Sequence, residues 1–197
     1  MEQFFTYQSY FIDQNVTFFR LANSYKIYND KGEIIGAVKE KLSWKHKFIR
    51  IFLGKKKAPF VFEIVNTDDE VLATIERGWT WITSFMTIRD ANQEVLGFIK
   101  ENFTFLKPLF DILDEKNTPI ARIEGDWMAW SFLIKDKEEQ IMGYIDKRWA
   151  GVLHEVFTHA DKYNVRLTDY KLPIDNATAM IAAAICIDFI LKEITSK

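Results

Sequence analysis

A sixteen-residue pattern occurs five times between residues 25 and 147, and it constrains the fold more than any other feature. Each copy has an isoleucine, an Asn or Asp two residues later, a Gly or Ala nine residues later and an aliphatic residue eleven residues later. The isoleucines are Ile27, Ile64, Ile88, Ile112 and Ile134, and the Asn or Asp residues are Asn29, Asn66, Asp90, Asp114 and Asp136. The small residues are Gly36, Ala73, Gly97, Ala121 and Gly143, and the aliphatic ones are Val38, Ile75, Ile99, Ile123 and Ile145.

Each copy predicts a β-hairpin, because short apolar or alternating runs flank a polar cluster of turn residues. Five hairpins give ten strands, and two more strands are predicted in NVTFFRL (residues 15–21) and YNVRLTD (residues 163–169). Twelve antiparallel strands can close into a barrel, which removes exposed sheet edges. The predicted fold is therefore mainly β: a single domain over residues 1–197, built as a closed antiparallel barrel of about twelve strands.

A barrel of this size is too wide for its own side chains to fill, so it needs a ligand, water or an inserted element. The stretch ATAMIAAAICIDFIL (residues 177–191) is the most apolar in the chain and predicts a helix, with Asp175 or Asn176 as its cap. We expect this helix to fill the lumen. The small and aliphatic positions of each hairpin share one strand face, and we expect the helix alanines to pack against the small residues.

The same helix has two interpretations, a buried core helix or a membrane span. Only twelve residues separate Asp175 from Asp188, whereas a spanning helix needs about 20 apolar residues. A charge such as Asp188 would cost roughly 2.5–3.5 kcal/mol at the bilayer centre. These observations favour the core helix, with membrane insertion as the alternative. In the barrel, Asp188 would pair with a Lys or Arg of the wall, or lie in water at the barrel mouth.

Composition limits the function classes. The net charge of −2 argues against a nucleic-acid binder. The one cysteine, Cys186, cannot form an internal disulfide, and the N-terminal residues lack the features of a signal peptide, so a cytoplasmic protein is expected. His154 and His159 are five residues apart, which does not place both on one helix face, and HExxH, G-x-S-x-G and P-loop motifs are absent. We therefore expect no enzyme.

The last third of the chain resembles the phospholipid scramblase family over residues 141–191. The residues that carry the resemblance are Gly143, Trp149, Gly151, Glu155, Phe157, Thr158, Ala160, Asp161, Tyr163, Ile187, Asp188 and Phe189. Scramblases are grouped with the LURP-one-related proteins and the Tubby C-terminal domains. The resemblance implies a twelve-stranded barrel around a hydrophobic C-terminal helix.

The resemblance also raises the question of calcium. Animal scramblases carry an acidic, EF-hand-like segment before the C-terminal helix, and the matching stretch here is HADKYNVRLTDY (residues 159–170). Asp161 and Asp169 are the candidate ligands, but His159 stands where the family has an Asp. Two carboxylates are few for a cation that takes six to eight oxygens, so the alternative is a strand with a polar edge and no cofactor.

A basic segment, residues 39–60, contains eight Lys or Arg residues and one acid, Glu40, interleaved with aromatic and aliphatic residues. It predicts a patch for anionic lipid headgroups, in which Trp44 enters the membrane interface. The candidate lipid-binding residues are Lys41, Trp44, Lys45, Lys47, Arg50, Lys55, Lys56 and Lys57. The alternative is a long loop packed on the barrel mouth with solvated lysines. Five further tryptophans near strand ends fit either a membrane barrel or the packing of a soluble barrel, and the charged strand ends favour the latter.

Two functions from different classes follow. The first is a scramblase-like, membrane-associated protein that binds anionic phospholipid, peripheral at the inner face of the membrane, with scrambling as its activity. A helix enclosed in the barrel leaves no spanning element to carry headgroups, which favours binding over transport. The second is an intracellular interaction or regulatory module of the Tubby or LURP-one type, which docks on membranes or a protein partner without transport. No nucleic acid is expected as a partner.

Overall fold

The computed structural model describes residues 2–14, 24–41, 59–79, 85–102, 109–126, 128, 130–147, 162–168 and 174–195. Within these residues twelve strands form one closed antiparallel barrel, and a 3₁₀ helix (Glu2–Thr6) precedes it. The strands are β1 (Ser9–Gln14), β2 (Ser24–Tyr28), β3 (Ile34–Glu40), β4 (Phe60–Asn66), β5 (Val71–Arg77), β6 (Phe85–Asp90), β7 (Val95–Asn102), β8 (Leu109–Asp114), β9 (Pro119–Asp126), β10 (Ser131–Lys135), β11 (Ile141–Asp146) and β12 (Lys162–Leu167). A helix, α1 (Ile174–Thr195), follows them.

Each strand pairs with its neighbours in the chain, and β1 closes the barrel by pairing with β12. The predicted twelve-stranded barrel and its five hairpins are confirmed, and β12 overlaps the strand predicted within residues 163–169. The prediction of the first strand is displaced. The first strand of the barrel is β1 at Ser9–Gln14, whereas the whole of the predicted segment 15–21 precedes β2 and falls outside the described residues.

The five hairpin turns share one construction, which explains the Asn or Asp of the repeat. The side-chain oxygen of Asn29 accepts hydrogen bonds from the backbone N–H groups of Lys31 and Glu33, both at 3.0 Å. Asn66, Asp90, Asp114 and Asp136 accept the equivalent pair in their own turns. Five residues after each isoleucine the backbone has a positive φ, at Gly32, Asp69, Gln93, Asn117 and Glu139. The Asn or Asp of each repeat therefore makes these turn hydrogen bonds within four residues of itself.

A β-bulge explains the small residue of the repeat. In every hairpin the register shifts immediately after the isoleucine, so one extra residue lies on the second strand. A Cβ on Gly36 would overlap the carbonyl oxygen of Val65, and one on Gly97 would overlap that of Leu113. At Gly143 the nearest atom is the carbonyl oxygen of Arg166, at 2.7 Å.

Close packing at the small positions was predicted correctly, but its assignment to the helix alanines is wrong at Gly36, Gly97 and Gly143. The atom nearest to each Cβ position is a backbone oxygen of the adjacent strand. The reason is the bulge, which brings that oxygen over the glycine. The signal for the bulge is a large apolar residue directly before the small one: Ile35, Leu72, Leu96, Ile120 and Met142.

The barrel is filled by α1, as predicted. Its residues 177–187 and Ile190 are buried, and they join the inward-facing isoleucines of the hairpins in one core. Phe4 and Phe5 of the 3₁₀ helix belong to the same core, and the Tyr10 hydroxyl donates to the carbonyl of Phe4 at 3.0 Å. The side chain of Asp188 lies outside the described residues, so its predicted ion pair stays a prediction.

The meander gives the barrel two different ends. The five turns lie at one end, here called the hairpin end: residues 29–33, 66–70, 90–94, 114–118 and 136–140. The other six connections join strand ends at the opposite end of the barrel, here called the loop end. These connections are residues 15–23, 41–59, 78–84, 103–108, 127–130 and 147–161. Helix α1 follows β12 from the hairpin end, and its Cys186 lies near Arg77, the last residue of β5 at the loop end. The C-terminus of α1 therefore points to the loop end.

Candidate functional site

The sequences that connect the strands at the two ends of the barrel differ in charge and in tryptophan content. Each of the five turns at the hairpin end carries net negative charge, and none of the six connections at the loop end does. The connection 41–59 alone holds seven Lys or Arg residues and no acid. All six tryptophans of the chain belong to loop-end connections: Trp44, Trp79, Trp81, Trp127, Trp130 and Trp149. The sequence that joins the strands at the loop end is therefore cationic and rich in tryptophan, whereas the sequence of the hairpin turns is acidic.

Lys41 is the one predicted lipid-binding residue that the structure describes. It directly follows β3 at the loop end, and its backbone N–H donates to the carbonyl of Val61 at 2.8 Å. Its side chain is exposed, with Nζ 2.7 Å from Oε1 of Glu63, and this hydrogen bond raises the pKa of Lys41. Lys41 is thus a solvated cation at the start of the basic segment. The other candidates lie outside the described residues: Trp44, Lys45, Lys47, Arg50, Lys55, Lys56 and Lys57.

Three large apolar side chains at the loop end are exposed to solvent. Trp79 follows β5 and is 51% exposed, Phe85 begins β6 and is 42% exposed, and Met128 lies between β9 and β10 and is 78% exposed. The ring of Phe85 stacks on that of Phe98, with their centres 5.2 Å apart. Exposed side chains of this size in separate connections give the loop end an apolar as well as a cationic character.

Trp130 connects this end to the core. Its ring lies 6.1 Å from that of Phe132 and 6.3 Å from that of Tyr163, both of which are buried in the barrel. On the solvent side, Nζ of Lys147 lies 4.1 Å from the centre of the Trp130 ring. The backbone N–H of Lys147 also donates to the carbonyl of Trp130 at 3.1 Å. The pair links the 127–130 and 147–161 connections through a cation–π contact.

Two charged residues lie buried in the lumen below the loop end. Arg77 is 2% exposed, with its guanidinium 4.6 Å from the centre of the Phe60 ring, and Glu40 is 7% exposed. Both are the last residues of their strands. The nearby thiol of Cys186 is fully buried, and this burial raises its pKa while the charge of Arg77 acts in the opposite direction. The thiol therefore stays protonated, which does not suit a nucleophile.

The calcium candidates Asp161 and Asp169 flank β12 in sequence, and both lie outside the described residues. Among the residues that the structure does describe, no three His, Cys, Asp or Glu side chains form a metal-binding group.

Sequence reasoning identified the basic segment with Trp44 as the candidate site and favoured a packing role for the other five tryptophans, but it missed Phe85 and Met128. The available signal was topological. Once the five hairpins are assigned, the strand ends between consecutive hairpins must all lie at one end of the barrel. Which of those side chains remain exposed depends on packing, as the contrast between Met128 and Trp130 shows.

The model of the Scramblase family matches residues 8–193, almost the whole chain. The chain belongs to the Scramblase family. This Scramblase-family chain is 25% identical to phospholipid scramblase 1 of Homo sapiens, over 99% of this chain and 64% of the relative. It is 26% identical to human phospholipid scramblase 2, over 90% of this chain and 63% of the relative. It is 21% identical to altered inheritance rate of mitochondria protein 25 of Saccharomyces cerevisiae, over 87% of this chain and 64% of the relative.

This member of the Scramblase family therefore spans somewhat less than two thirds of each of these relatives. No solved structure matches it. In the part of the chain that the structure describes, no helix, α1 included, combines the length and the apolar character that a membrane span requires.

Proposed function

We propose that this Scramblase-family protein is a peripheral membrane protein that binds anionic phospholipid through the basic segment of its loop end. The cations are Lys41, Lys45, Lys47, Arg50, Lys55, Lys56 and Lys57, and Trp44 supplies an interfacial ring. The inner face of the cytoplasmic membrane is the expected location, because its lipids carry the negative charge that such a segment attracts.

The observation that carries the proposal is that the sequence joining the strands at the loop end is cationic, whereas the turns at the hairpin end are acidic. Each Lys or Arg near an anionic surface contributes about 1 kcal/mol to binding. The turns at the hairpin end are acidic and would be repelled by the same surface. The similarity to proteins named phospholipid scramblases supports phospholipid as the ligand class.

Flotation with vesicles tests the proposal. The wild-type protein should float with vesicles of phosphatidylcholine that contain about a quarter phosphatidylserine, and less with phosphatidylcholine alone. The variant Lys55→Glu/Lys56→Glu/Lys57→Glu should bind the anionic vesicles at least a hundredfold more weakly, since about 3 kcal/mol of attraction is lost.

The matched control makes the same charge change at the opposite end. Lys31, Lys116 and Lys137 are exposed in hairpin turns, and the variant Lys31→Glu/Lys116→Glu/Lys137→Glu should float like the wild type. Equal binding of both triple variants would contradict the basic segment as the lipid site. Absence of salt-sensitive binding by the wild type would contradict anionic lipid as the ligand.

The second candidate is an interaction or regulatory module that docks without moving lipid. The burial of α1 favours it, because the most apolar segment of the chain is already enclosed by the barrel wall. A leaflet-accessibility assay separates the two. Vesicles carrying an NBD-labelled phosphatidylserine are treated with dithionite, which bleaches the outer leaflet alone. Scrambling makes nearly all of the label accessible when the protein is present, whereas a docking module leaves the inner-leaflet label protected although the protein binds.

A further inference from the structure

The loop end has exposed apolar side chains in addition to the basic segment. Trp79 and Phe85 lie at the end of β5 and the start of β6, and Met128 lies between β9 and β10. The loop-end termini of β7 and β8 separate the two places around the rim. All of them lie at the same end of the barrel axis. Residues that lie around one end of a barrel can contact a flat surface together when the barrel axis is roughly perpendicular to that surface.

The barrel also exposes apolar residues at the hairpin end, where Ile34 is 51% and Ile141 is 42% exposed. These two begin β3 and β11, directly after the acidic turns 29–33 and 136–140. An anionic surface would repel the carboxylates of those turns before the isoleucines could reach it. Of the two barrel ends with exposed apolar residues, only the loop end is complementary in charge to an anionic surface. The partner that fits the loop end is therefore an anionic bilayer surface.

Interfacial binding of this kind combines cations with buried apolar side chains. The described residues of the loop end provide both. Lys41 is exposed there, and Lys147 lies over Trp130, whose ring is packed on the core. Trp130 is held in place by its packing against the core. Met128, two residues before it in the chain, is more exposed to solvent.

We infer that the loop end is the membrane-inserting face of the protein. Trp79, Phe85 and Met128 enter the interface of an anionic bilayer, the barrel axis stands across the membrane plane, and the acidic hairpin end faces away. This inference rests on the proposed function, since it takes anionic lipid as the ligand and adds the inserted residues and the orientation.

Site-specific labels test the orientation. Met128→Cys reports on the loop end, and Thr67→Cys, exposed in a hairpin turn, is the matched control. Cys186 is buried with a raised pKa, so an NBD reagent labels the introduced cysteine. With vesicles containing about a quarter phosphatidylserine, the emission of the label at position 128 should rise and shift to the blue, while the label at position 67 stays unchanged.

A pair of variants tests the inserted side chains. Trp79→Ser/Met128→Ser should weaken vesicle binding by about tenfold for each residue that enters the interface. Ile34→Ser/Ile141→Ser removes two exposed apolar residues from the hairpin end and should leave binding unchanged. Both residue pairs are about half exposed or more, so neither variant is expected to prevent folding.

The outcomes separate this inference from the proposed function. A response of the label at position 67, equal responses of both labels, or no response of either while the protein floats with anionic vesicles would overturn the orientation alone. Wild-type binding by Trp79→Ser/Met128→Ser would do the same and would assign those residues to another partner, such as a protein. Absence of flotation by the wild type would overturn both proposals.

Discussion

Gly97 of β7 lies against the main-chain carbonyl of Leu113 in β8, so closely that a methyl group on Gly97 would overlap the carbonyl oxygen. Gly97 directly follows Leu96, the extra residue of the bulge in its own hairpin, and pairs with Ile88 across that hairpin. The small residue of a hairpin therefore stands where its bulged strand meets the next strand of the barrel.

Gly97→Ala should lower the free energy of unfolding by about 1–3 kcal/mol, because the β8 backbone must move to admit the methyl group. The alanines at the equivalent positions 73 and 121 indicate that a methyl can be accommodated, so Gly97→Val should cost more. Urea denaturation measures both. Gly78→Ala is the control, since no atom lies within 4 Å of the added Cβ, and an equal loss there would contradict the steric explanation.

The turn residue with positive φ offers a stabilising change. Gln93 has a φ of 69° and Asn117 a φ of 66°, whereas the first hairpin has Gly32 at the same place. A non-glycine residue there is strained, and asparagine tolerates this conformation better than glutamine. Gln93→Gly should raise the free energy of unfolding by about 0.5–1 kcal/mol. Asn117→Gly should raise it less, and a larger gain for Asn117→Gly would contradict the assignment.

The stability of the hairpin end should depend on pH through the turn carboxylate of Asp114. Hydrogen bonds from the backbone of Thr118, then Lys116, hold the pKa of Asp114 below its usual value. A group whose pKa is lowered by folding stabilises the folded state above its unfolded pKa, and that contribution is lost as the pH falls through the folded pKa.

We therefore expect the wild type to lose stability between about pH 5 and pH 2, with a shallower slope for Asp114→Asn. The asparagine keeps an oxygen acceptor but cannot be protonated in this range. Chemical denaturation at several pH values measures both slopes. Asp30→Asn is a control, because its exposed carboxylate is not the oxygen that caps its turn. Slopes that stay equal for the wild type and Asp114→Asn would contradict the prediction.

The repeat predicted the five hairpins because turn chemistry acts over a few residues, and Asp90 or Asp136 makes its hydrogen bonds within four residues of itself. It could not place β1, which lies outside the repeat and is fixed by pairing with β12. Helix α1 was predictable from the length and apolar character of residues 177–191. The bulge was not predicted. A small residue in a strand indicates that another atom packs closely against it, but the sequence does not show that this atom is a backbone oxygen of the adjacent strand.

For the candidate site, the sequence identified the cations of residues 41–57, but sequence reasoning did not connect Lys41 with Phe85 and Met128, which lie at the same end of the barrel. That relationship depends on which strand ends lie at the same end of the barrel, and this is set by the pairing of the strands in chain order. It follows once the hairpins are assigned, because connections between successive hairpins alternate with the turns from one barrel end to the other. Exposure at single positions depends on tertiary packing, so Trp130 against the core differs from Trp79 in solvent.

Deletion of residues 174–197 should abolish the cooperative fold, because α1 fills the lumen. Each buried large apolar side chain contributes about 1.5–3 kcal/mol, and the whole stability of such a domain is about 5–15 kcal/mol. The large apolar side chains of α1 buried in the core are Met180, Ile181, Ile185, Ile187 and Ile190. Near-ultraviolet circular dichroism and the width of the urea transition measure the loss, which should be a flat spectrum and a broad transition.

The control for this deletion ends the chain after Thr195, which removes two residues and leaves α1 in place. That variant should unfold as the wild type does. A cooperative transition in the larger deletion, together with the near-ultraviolet spectrum of the wild type, would show that the barrel packs without its helix. In that case the lumen would have to be filled by the barrel wall itself, and α1 would be free to serve another purpose, including contact with lipid.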